Sequence, residues 1–400
     1  MREEIEGGSR KFQYVQLPNE GQRYFCLQQS LYIAAWILYF QSDVFSPIER
    51  SPQKSWSFGS SIKWIRNYVG LLRWHTKSLI IFAINKYQWR RIGLILELPR
   101  YGQLCLSVHQ GHKIFDLRRG VAIKVFDCEV HESVIQQEIE LLQKVSCMDF
   151  SPSFVKWNIE ERWYEEEFLN GPLDAAYDPV DSATLLKTFQ GNVSEFLYQL
   201  ILFQPPTTSN VRQYANSLIG GANIDRLLSR KSTVQYFDAI NNFLNVMAAR
   251  LEKEGECLIF LTFTHGDFVP ANMVNTQHGL KIIDWEHAGS RSALFDFYSY
   301  FFYRSISRKV PVPDVVADIE QALSIFQAGL AENVPNVFKS VSQGLKVYRW
   351  IFFVEMIVRL LHREMSDKNL NVMNYILSYI AVFNEFEQLS IQSTRHDSYG

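Results

Sequence analysis

Residues 264–296 read THGDFVPANMVNTQHGLKIIDWEHAGSRSALFD, and polar side chains flank two short apolar segments within this stretch. The segments Met273–Asn275 and Leu280–Ile283 are separated by a loop that contains a glycine, which predicts a β-hairpin. A hairpin brings its two open ends together. Asn272, before the first strand, and Asp284, after the second, should therefore direct their oxygen atoms towards one point.

The polar residues of this stretch suit a magnesium-dependent transfer of a phosphoryl group. Mg²⁺ is usually bound by one or two carboxylates together with substrate phosphates, so we predict Asn272 and Asp284 as its ligands. Phosphoryl transfer also needs a group that orients the incoming hydroxyl. Asp267, five residues before Asn272, is predicted to be this catalytic carboxylate.

A lysine and a glutamate in the first half of the chain complete the predicted site. Residues 121–126 (VAIKVF) form a predicted strand on which Lys124 can hold the nucleotide phosphates. The segment that follows has helical periodicity and places Glu138 on its apolar face. A buried carboxylate needs a partner, so Glu138 is expected to pair with Lys124, with Glu132 and Glu140 as the alternatives.

The motifs HGDFVPAN, IIDWEHAG and VAIK resemble those of the aminoglycoside kinase and choline kinase family, which shares the protein-kinase-like fold. The similarity covers about residues 102–365. It implies that ATP and Mg²⁺ are the cofactors and that the γ-phosphate passes to a hydroxyl group. It also implies that the backbone of Glu167, Phe168 and Leu169 binds adenine. The chain departs from protein kinases because no GxGxxG precedes VAIK and no APE follows Asp284.

The predicted acceptor is a small molecule or a saccharide, because Phe295-Asp296 follows Asp284 within twelve residues and leaves little room for a protein-binding segment. The aromatic, apolar stretch Tyr348–Leu361 argues against a strongly cationic acceptor. HGDF-x-P-x-N combined with IDWE further resembles family members linked to bacterial surface-polysaccharide or lipopolysaccharide synthesis. Three alternatives stay open: a choline or aminoglycoside kinase, a protein kinase, and a nucleotide-binding scaffold without catalysis.

The order of the predicted elements indicates an α+β, bilobal protein-kinase-like fold. An N-terminal extension (1–100) precedes a small, mostly β, nucleotide-binding lobe with one key helix (101–169). A large helical lobe (170–400) carries the catalytic loop at 264–286. Helical periodicity recurs in this lobe, most clearly at 237–254, 314–332 and 345–365.

Composition excludes several other classes of protein. The net charge of −2 and the absence of a recognisable module argue against a nucleic-acid partner. Five scattered cysteines without CxxC spacing are typical neither of a zinc site nor of a disulfide framework. The longest apolar run, Leu31–Phe40, is about half the length of a membrane-spanning helix. We therefore expect a cytoplasmic protein.

Residues 50–96 contain no acidic residue, while basic and tryptophan residues recur, among them Lys63, Trp64, Arg66, Arg73, Trp74 and Lys77. Two interpretations fit this pattern. The stretch either packs on the small lobe as a solvated basic face or docks on an anionic membrane or lipid-linked glycan at the inner membrane surface, where tryptophan rings lie at headgroup level.

Overall fold

The computed structural model describes residues 11–16, 23–40, 76–86, 95–169, 181–221, 234–255, 257–366 and 371–396. The chain divides into two compact units. The first comprises Met1–Asp174 with Met273–Ile283, and the second comprises Ala175–Asn272 with Asp284–Gly400. Within the described ranges, none of the helices combines the length and the apolar character needed to cross a bilayer.

The first unit is built on an antiparallel sheet with the strand order β3-β1-β2-β4-β5-β6-β8-β7. Its strands are β1 (Phe12–Gln16), β2 (Arg23–Cys26), β3 (Ile95–Leu98), β4 (Leu104–Val108), β5 (Gly111–Asp116), β6 (Val121–Phe126), β7 (Phe154–Asn158) and β8 (Trp163–Glu167). Helices α1 (Leu31–Phe40), α2 (76–86) and α3 (Glu132–Val145) and a hairpin of β11 (Met273–Thr276) and β12 (Gly279–Ile282) complete it.

The N-terminal strands extend the same sheet, because β2 pairs with β4 and the sheet therefore continues across residue 100. Most of the basic stretch lies outside the described residues, including Lys63, Trp64, Arg66, Arg73 and Trp74. Of its two described lysines, Lys86 donates to the carbonyl oxygen of Leu27 at 2.9 Å, so this charge is used within the unit. Packing of the whole stretch and its docking on a membrane both stay predictions.

Helix α3 forms where the helical spacing of the apolar residues predicts it. His131 caps its N-terminus by accepting the N–H of Ser133 on its side chain. Its buried face consists of Ile135, Glu138, Ile139, Leu142 and Val145. The predicted carboxylate therefore lies among apolar side chains, where an uncompensated charge would be costly.

The second unit is mostly helical. Its helices are α4 (Ser182–Thr188), continued by a π-helical turn (Phe189–Val193), α5 (Ser194–Phe203), α6 (Val211–Gly221), α7 (Val234–Lys253), α8 (Phe295–Arg308), α9 (Val312–Asn333), α10 (Pro335–Ser366) and α11 (Asn371–His396). A small antiparallel sheet has the order β13-β10-β9, with β9 (Thr207–Asn210), β10 (Leu258–Thr264) and β13 (Gly289–Ser292). The three long helices predicted from periodicity correspond to α7, α9 and α10, and α10 is kinked at Gly344.

The aromatic stretch Tyr348–Leu361 lies within α10 and belongs to the core. Phe352, for example, is fully buried and stacks on Phe302 of α8, with 5.5 Å between the ring centroids. These rings pack against other helices, so they carry no information on the charge of the acceptor, which stays a prediction.

Candidate active site

The loop after β10 carries His265-Gly266-Asp267 and is fixed through its backbone. Asp296, in the first turn of α8, accepts the N–H of His265 at 2.6 Å and the N–H of Gly266 at 3.0 Å. The carboxylate is 4% exposed, so the two donors satisfy a group that water could not reach. Asp296 therefore has a structural role and holds the loop in place.

Only glycine fits at position 266. Its φ of +83° lies in the left-handed region, and a Cβ atom there would overlap the carbonyl oxygen of His287. The loop can consequently lie directly against the backbone of a 3₁₀ turn formed by Trp285–His287. This close approach is the physical reason for the HGD sequence in this chain.

His265 supports the same loop from inside the core. It is completely buried, and its Nδ1 atom accepts the N–H of Asp267 at 3.2 Å. Its ring packs edge-on against Trp285, with 4.6 Å between the centroids. These contacts agree with a structural role for His265 and a core position for Trp285.

The Asp267 carboxylate is held on both of its oxygen atoms. Arg359 Nη1 donates to Oδ1 at 3.0 Å, and Asn272 Nδ2 donates to Oδ2 at 3.1 Å. About a quarter of the side chain remains exposed (24%), so a hydroxyl group can still reach it. Desolvation raises the pKa of Asp267, but the nearby Arg359, His287 and His265 outweigh it and hold the pKa below its usual value.

Asn272 and Asp284 flank the β11–β12 hairpin as predicted. The hairpin register pairs Met273 with Ile282, so Asn272 and Asp284 both lie at the open end of the hairpin. The Asn272 amide nitrogen also donates to the Asp267 carbonyl oxygen at 2.9 Å, which leaves the amide oxygen as the available ligand atom. Asp284 is exposed and has a left-handed backbone with φ of 69°, a conformation that aspartate tolerates.

This donor set fits Mg²⁺. It contains one amide oxygen and one carboxylate, both of which are hard ligands. A few protein oxygens completed by phosphate and water are typical of magnesium sites, whereas zinc sites use nitrogen and sulfur.

In the first unit, Lys124 pairs with Glu138. Its Nζ atom lies 2.7 Å and 2.9 Å from the two carboxylate oxygens, and the side chains are only 4% and 9% exposed. Tyr164 donates its hydroxyl to the same carboxylate at 2.9 Å. Glu132 and Glu140 are exposed on α3. The expected ion pair is confirmed and the two alternative partners are excluded.

Of the three residues predicted to bind adenine through their backbone, two have N–H groups that already donate hydrogen bonds within the protein. The N–H of Glu167 donates to the carbonyl of Ser153, and the N–H of Phe168 donates to the carbonyl of Gly120, each at 2.8 Å. Within the described ranges the N–H of Leu169 has no such bond. If this segment binds adenine, Leu169 is the residue of the three whose amide can donate to the base.

Arg359 is the site residue that the sequence reasoning missed. It lies on α10, 92 residues after Asp267, and no local spacing connects the two. The sequence contains one indication of a buried partner for Arg359. Between Lys346 and His362 the charged residues are Arg349, Glu355 and Arg359, and the others are mostly apolar. Charges within an apolar helix indicate buried partners, although not which ones.

Comparison with known proteins defines the class. Residues 211–332, which include Asp267, Asn272 and Asp284, match the model of the phosphotransferase enzyme family. The resemblance to the family of aminoglycoside and choline kinases is thereby confirmed, and the strands and helices of the two units confirm the predicted α+β class. The match supports a phosphotransferase of the kinase type.

Several solved structures are similar to the chain. The choline kinase of Streptococcus pneumoniae is 13% identical, with a TM-score of 0.45, over 68% of this chain and 90% of that one. The ethanolamine kinase of Plasmodium vivax is 12% identical, with a TM-score of 0.47, over 68% and 78%. An aminoglycoside phosphotransferase in complex with ADP and hygromycin B is 13% identical, with a TM-score of 0.42, over 70% and 92%. No curated protein matches the chain.

Proposed function

We propose that this chain transfers the γ-phosphate of ATP to a hydroxyl group of a small molecule, most specifically a saccharide. The observation that carries the proposal is the contact between Asn272 and Asp267. A single amide group orients the carboxylate through its nitrogen, and its oxygen would be available to a metal ion. Acceptor and metal-bound phosphate would thus be positioned by one pair of side chains, as in-line transfer requires.

The other residues have complementary roles in this proposal. Asp267 orients the acceptor hydroxyl and takes up its proton. Lys124, held by Glu138, binds the nucleotide phosphates, and the amide of Leu169 receives adenine. Asn272 and Asp284 would hold Mg²⁺, which neutralises negative charge on the phosphates when it is bound.

The structure between Asp284 and α8 supports a small acceptor. The 3₁₀ turn at Trp285–His287 leads directly into β13, which pairs with β10 from Thr264↔Gly289 to Leu261↔Ser292. Because these residues form a 3₁₀ turn and a strand, they do not form the long segment that binds polypeptides in protein kinases. The more specific proposal of surface-polysaccharide or lipopolysaccharide synthesis rests on the motif resemblance.

An acceptor panel tests the substrate class. ATP consumption should be stimulated more strongly by a saccharide than by choline or an aminoglycoside, since the motif resemblance is to family members linked to polysaccharide synthesis. Turnover that is best with choline or an aminoglycoside would favour the corresponding amine kinase, and a phosphorylated polypeptide would favour a protein kinase. Binding of Mg·ATP without turnover on any acceptor would favour a scaffold.

Replacing Asp284 tests the metal site. In Asp284→Ala, we expect the affinity for Mg·ATP to fall at least about tenfold, because a hard ligand is lost. Thermal shifts with ATP should then be the same with and without Mg²⁺. Asp238→Ala, which removes an exposed carboxylate from α7, is the matched control and should retain the magnesium-dependent shift. An unchanged magnesium response in Asp284→Ala would contradict the assignment.

A further inference from the structure

Arg359 places a cationic group directly against the loop that carries Asp267. Its Nη1 atom donates to the carbonyl oxygen of Gly266 at 2.6 Å and to Asp267 Oδ1 at 3.0 Å. The arginine side chain is 13% exposed. One nitrogen therefore binds both the backbone of the loop and the carboxylate that the proposed function makes catalytic.

The surroundings of Arg359 indicate that it is placed there for this loop. A buried guanidinium group is costly unless it is paired. Glu355, one helical turn earlier, is engaged elsewhere: it accepts the N–H and hydroxyl of Ser292 and the hydroxyl of Tyr214. Among the described residues, the hydrogen bonds of Arg359 go to Gly266 and Asp267.

Two donors on opposite oxygens restrict the carboxylate more than either one alone. Asn272 binds Oδ2 while Arg359 binds Oδ1, so rotation of the Asp267 carboxylate breaks at least one hydrogen bond. A charge-assisted bond from a guanidinium group is stronger and more directional than a neutral one. The lone pairs that remain on Asp267 then have a defined direction for the acceptor hydroxyl.

We propose that Arg359 is a positioning residue for phosphate transfer, which fixes the Asp267 carboxylate in the orientation that receives the acceptor hydroxyl. The inference rests on the proposed function of Asp267. Arg359 acts through Asp267 and not through the nucleotide, so its loss should lower the turnover number and leave the affinity for Mg·ATP unchanged.

Two substitutions at one position test this role. In Arg359→Met, kcat should fall about 100-fold, as expected when a catalytic group is misplaced by about 1 Å. KM for ATP should stay within about twofold, since no contact to the nucleotide is lost. Arg359→Lys should recover at least about tenfold of the lost kcat, because an ammonium group can still donate to Oδ1.

Arg349→Met is the matched control. Arg349 lies on the same helix, is similarly buried (16% exposed) and pairs with Glu387 at 2.7 Å. Arg349→Met should lower the melting temperature as much as Arg359→Met does. Its kcat per folded molecule should change less than about threefold, because Arg349 is remote from the reacting groups. An equal loss of kcat in both methionine variants, or a loss confined to KM, would overturn the proposal.

A crystal structure of Arg359→Met separates this inference from the proposed function. The Asp267 carboxylate should rotate away from its present orientation while Asn272 keeps its backbone contact. An unmoved carboxylate would overturn the positioning role even if the enzyme were active. Conversely, a wild-type protein without turnover on any acceptor would contradict the proposed function. A rotated Asp267 carboxylate in Arg359→Met would still show that Arg359 holds its orientation.

Discussion

Asp267→Asn should lower the turnover number for phosphate transfer by a factor of about 10²–10⁴, the usual contribution of a positioned acid–base group. An amide has nearly the shape of a carboxylate but cannot take up the proton of the acceptor hydroxyl. The loop should keep its conformation, since Asn272 also binds the Asp267 carbonyl oxygen and Arg359 the Gly266 carbonyl oxygen. The measurement is kcat with the best acceptor of the panel.

Nucleotide binding distinguishes a catalytic role for Asp267 from a role in binding. The thermal shift with Mg·ATP should be retained in Asp267→Asn, because the proposed magnesium ligands Asn272 and Asp284 are unchanged. Asp238→Asn is the control for loss of a carboxylate in the same unit, and it should have wild-type kcat. If Asp267→Asn kept activity within a few-fold of the wild type, Asp267 would not be the catalytic carboxylate.

The parts of the site that were predictable from sequence depend on short-range order. The hairpin between Asn272 and Asp284 was predictable because two strands and a tight loop are local, and its register is fixed by their lengths. The pair of Lys124 and Glu138 was predictable because strand β6 and helix α3 follow each other in the chain, and the helical period places Glu138 on the buried face of α3. In each case the partners are fewer than twenty residues apart.

The parts that were not predictable depend on contacts between distant elements. Arg359 reaches Asp267 only because α10 packs beside the loop after β10. The N–H groups of Glu167 and Phe168 are occupied because Ser153 and Gly120, which immediately precede the neighbouring strands β7 and β6, accept them. Local spacing cannot identify such partners, so a pattern can indicate that a buried charge has a partner without saying which residue it is.

The pairing of β2 with β4 was not predictable for a related reason. Residues before 100 showed no motif of the family, and they were interpreted as an extension. Yet β2 pairs with β4 through Arg23↔Leu106 to Phe25↔Leu104, and Tyr14 donates its hydroxyl to the carbonyl of Arg100 at 2.8 Å. Strand pairing follows backbone hydrogen bonding and burial, neither of which requires a family motif.

Lys124→Met should both destabilise the protein and abolish nucleotide binding. It removes the cation that pairs with the buried Glu138 carboxylate, so the free energy of unfolding should fall by about 3–5 kcal/mol, the usual cost of an uncompensated buried charge. Urea denaturation measures this loss. A stability that stayed at the wild-type value would mean that Glu138 is protonated or rehydrated once the lysine is gone.

The double variant Lys124→Met/Glu138→Leu separates stability from function. Replacing both partners by apolar groups of similar size removes the buried charge, so most of the lost stability should return, as it does for other buried ion pairs. Binding of Mg·ATP should nevertheless remain absent, because no cation is left on β6 to hold the phosphates. Titration of the folded double variant with Mg·ATP measures this.

A second buried ion pair provides the matched control. Arg304 and Asp318 pair in the second unit, and each side chain is 2% exposed. Arg304→Met/Asp318→Leu should behave like the other double variant in stability and should bind Mg·ATP normally. If both double variants kept nucleotide binding, Lys124 would be a packing residue. If only Lys124→Met/Glu138→Leu lost nucleotide binding, the Lys124–Glu138 pair would be needed to bind the nucleotide. Its effect on stability would not explain the loss, because the apolar pair restores stability without restoring binding.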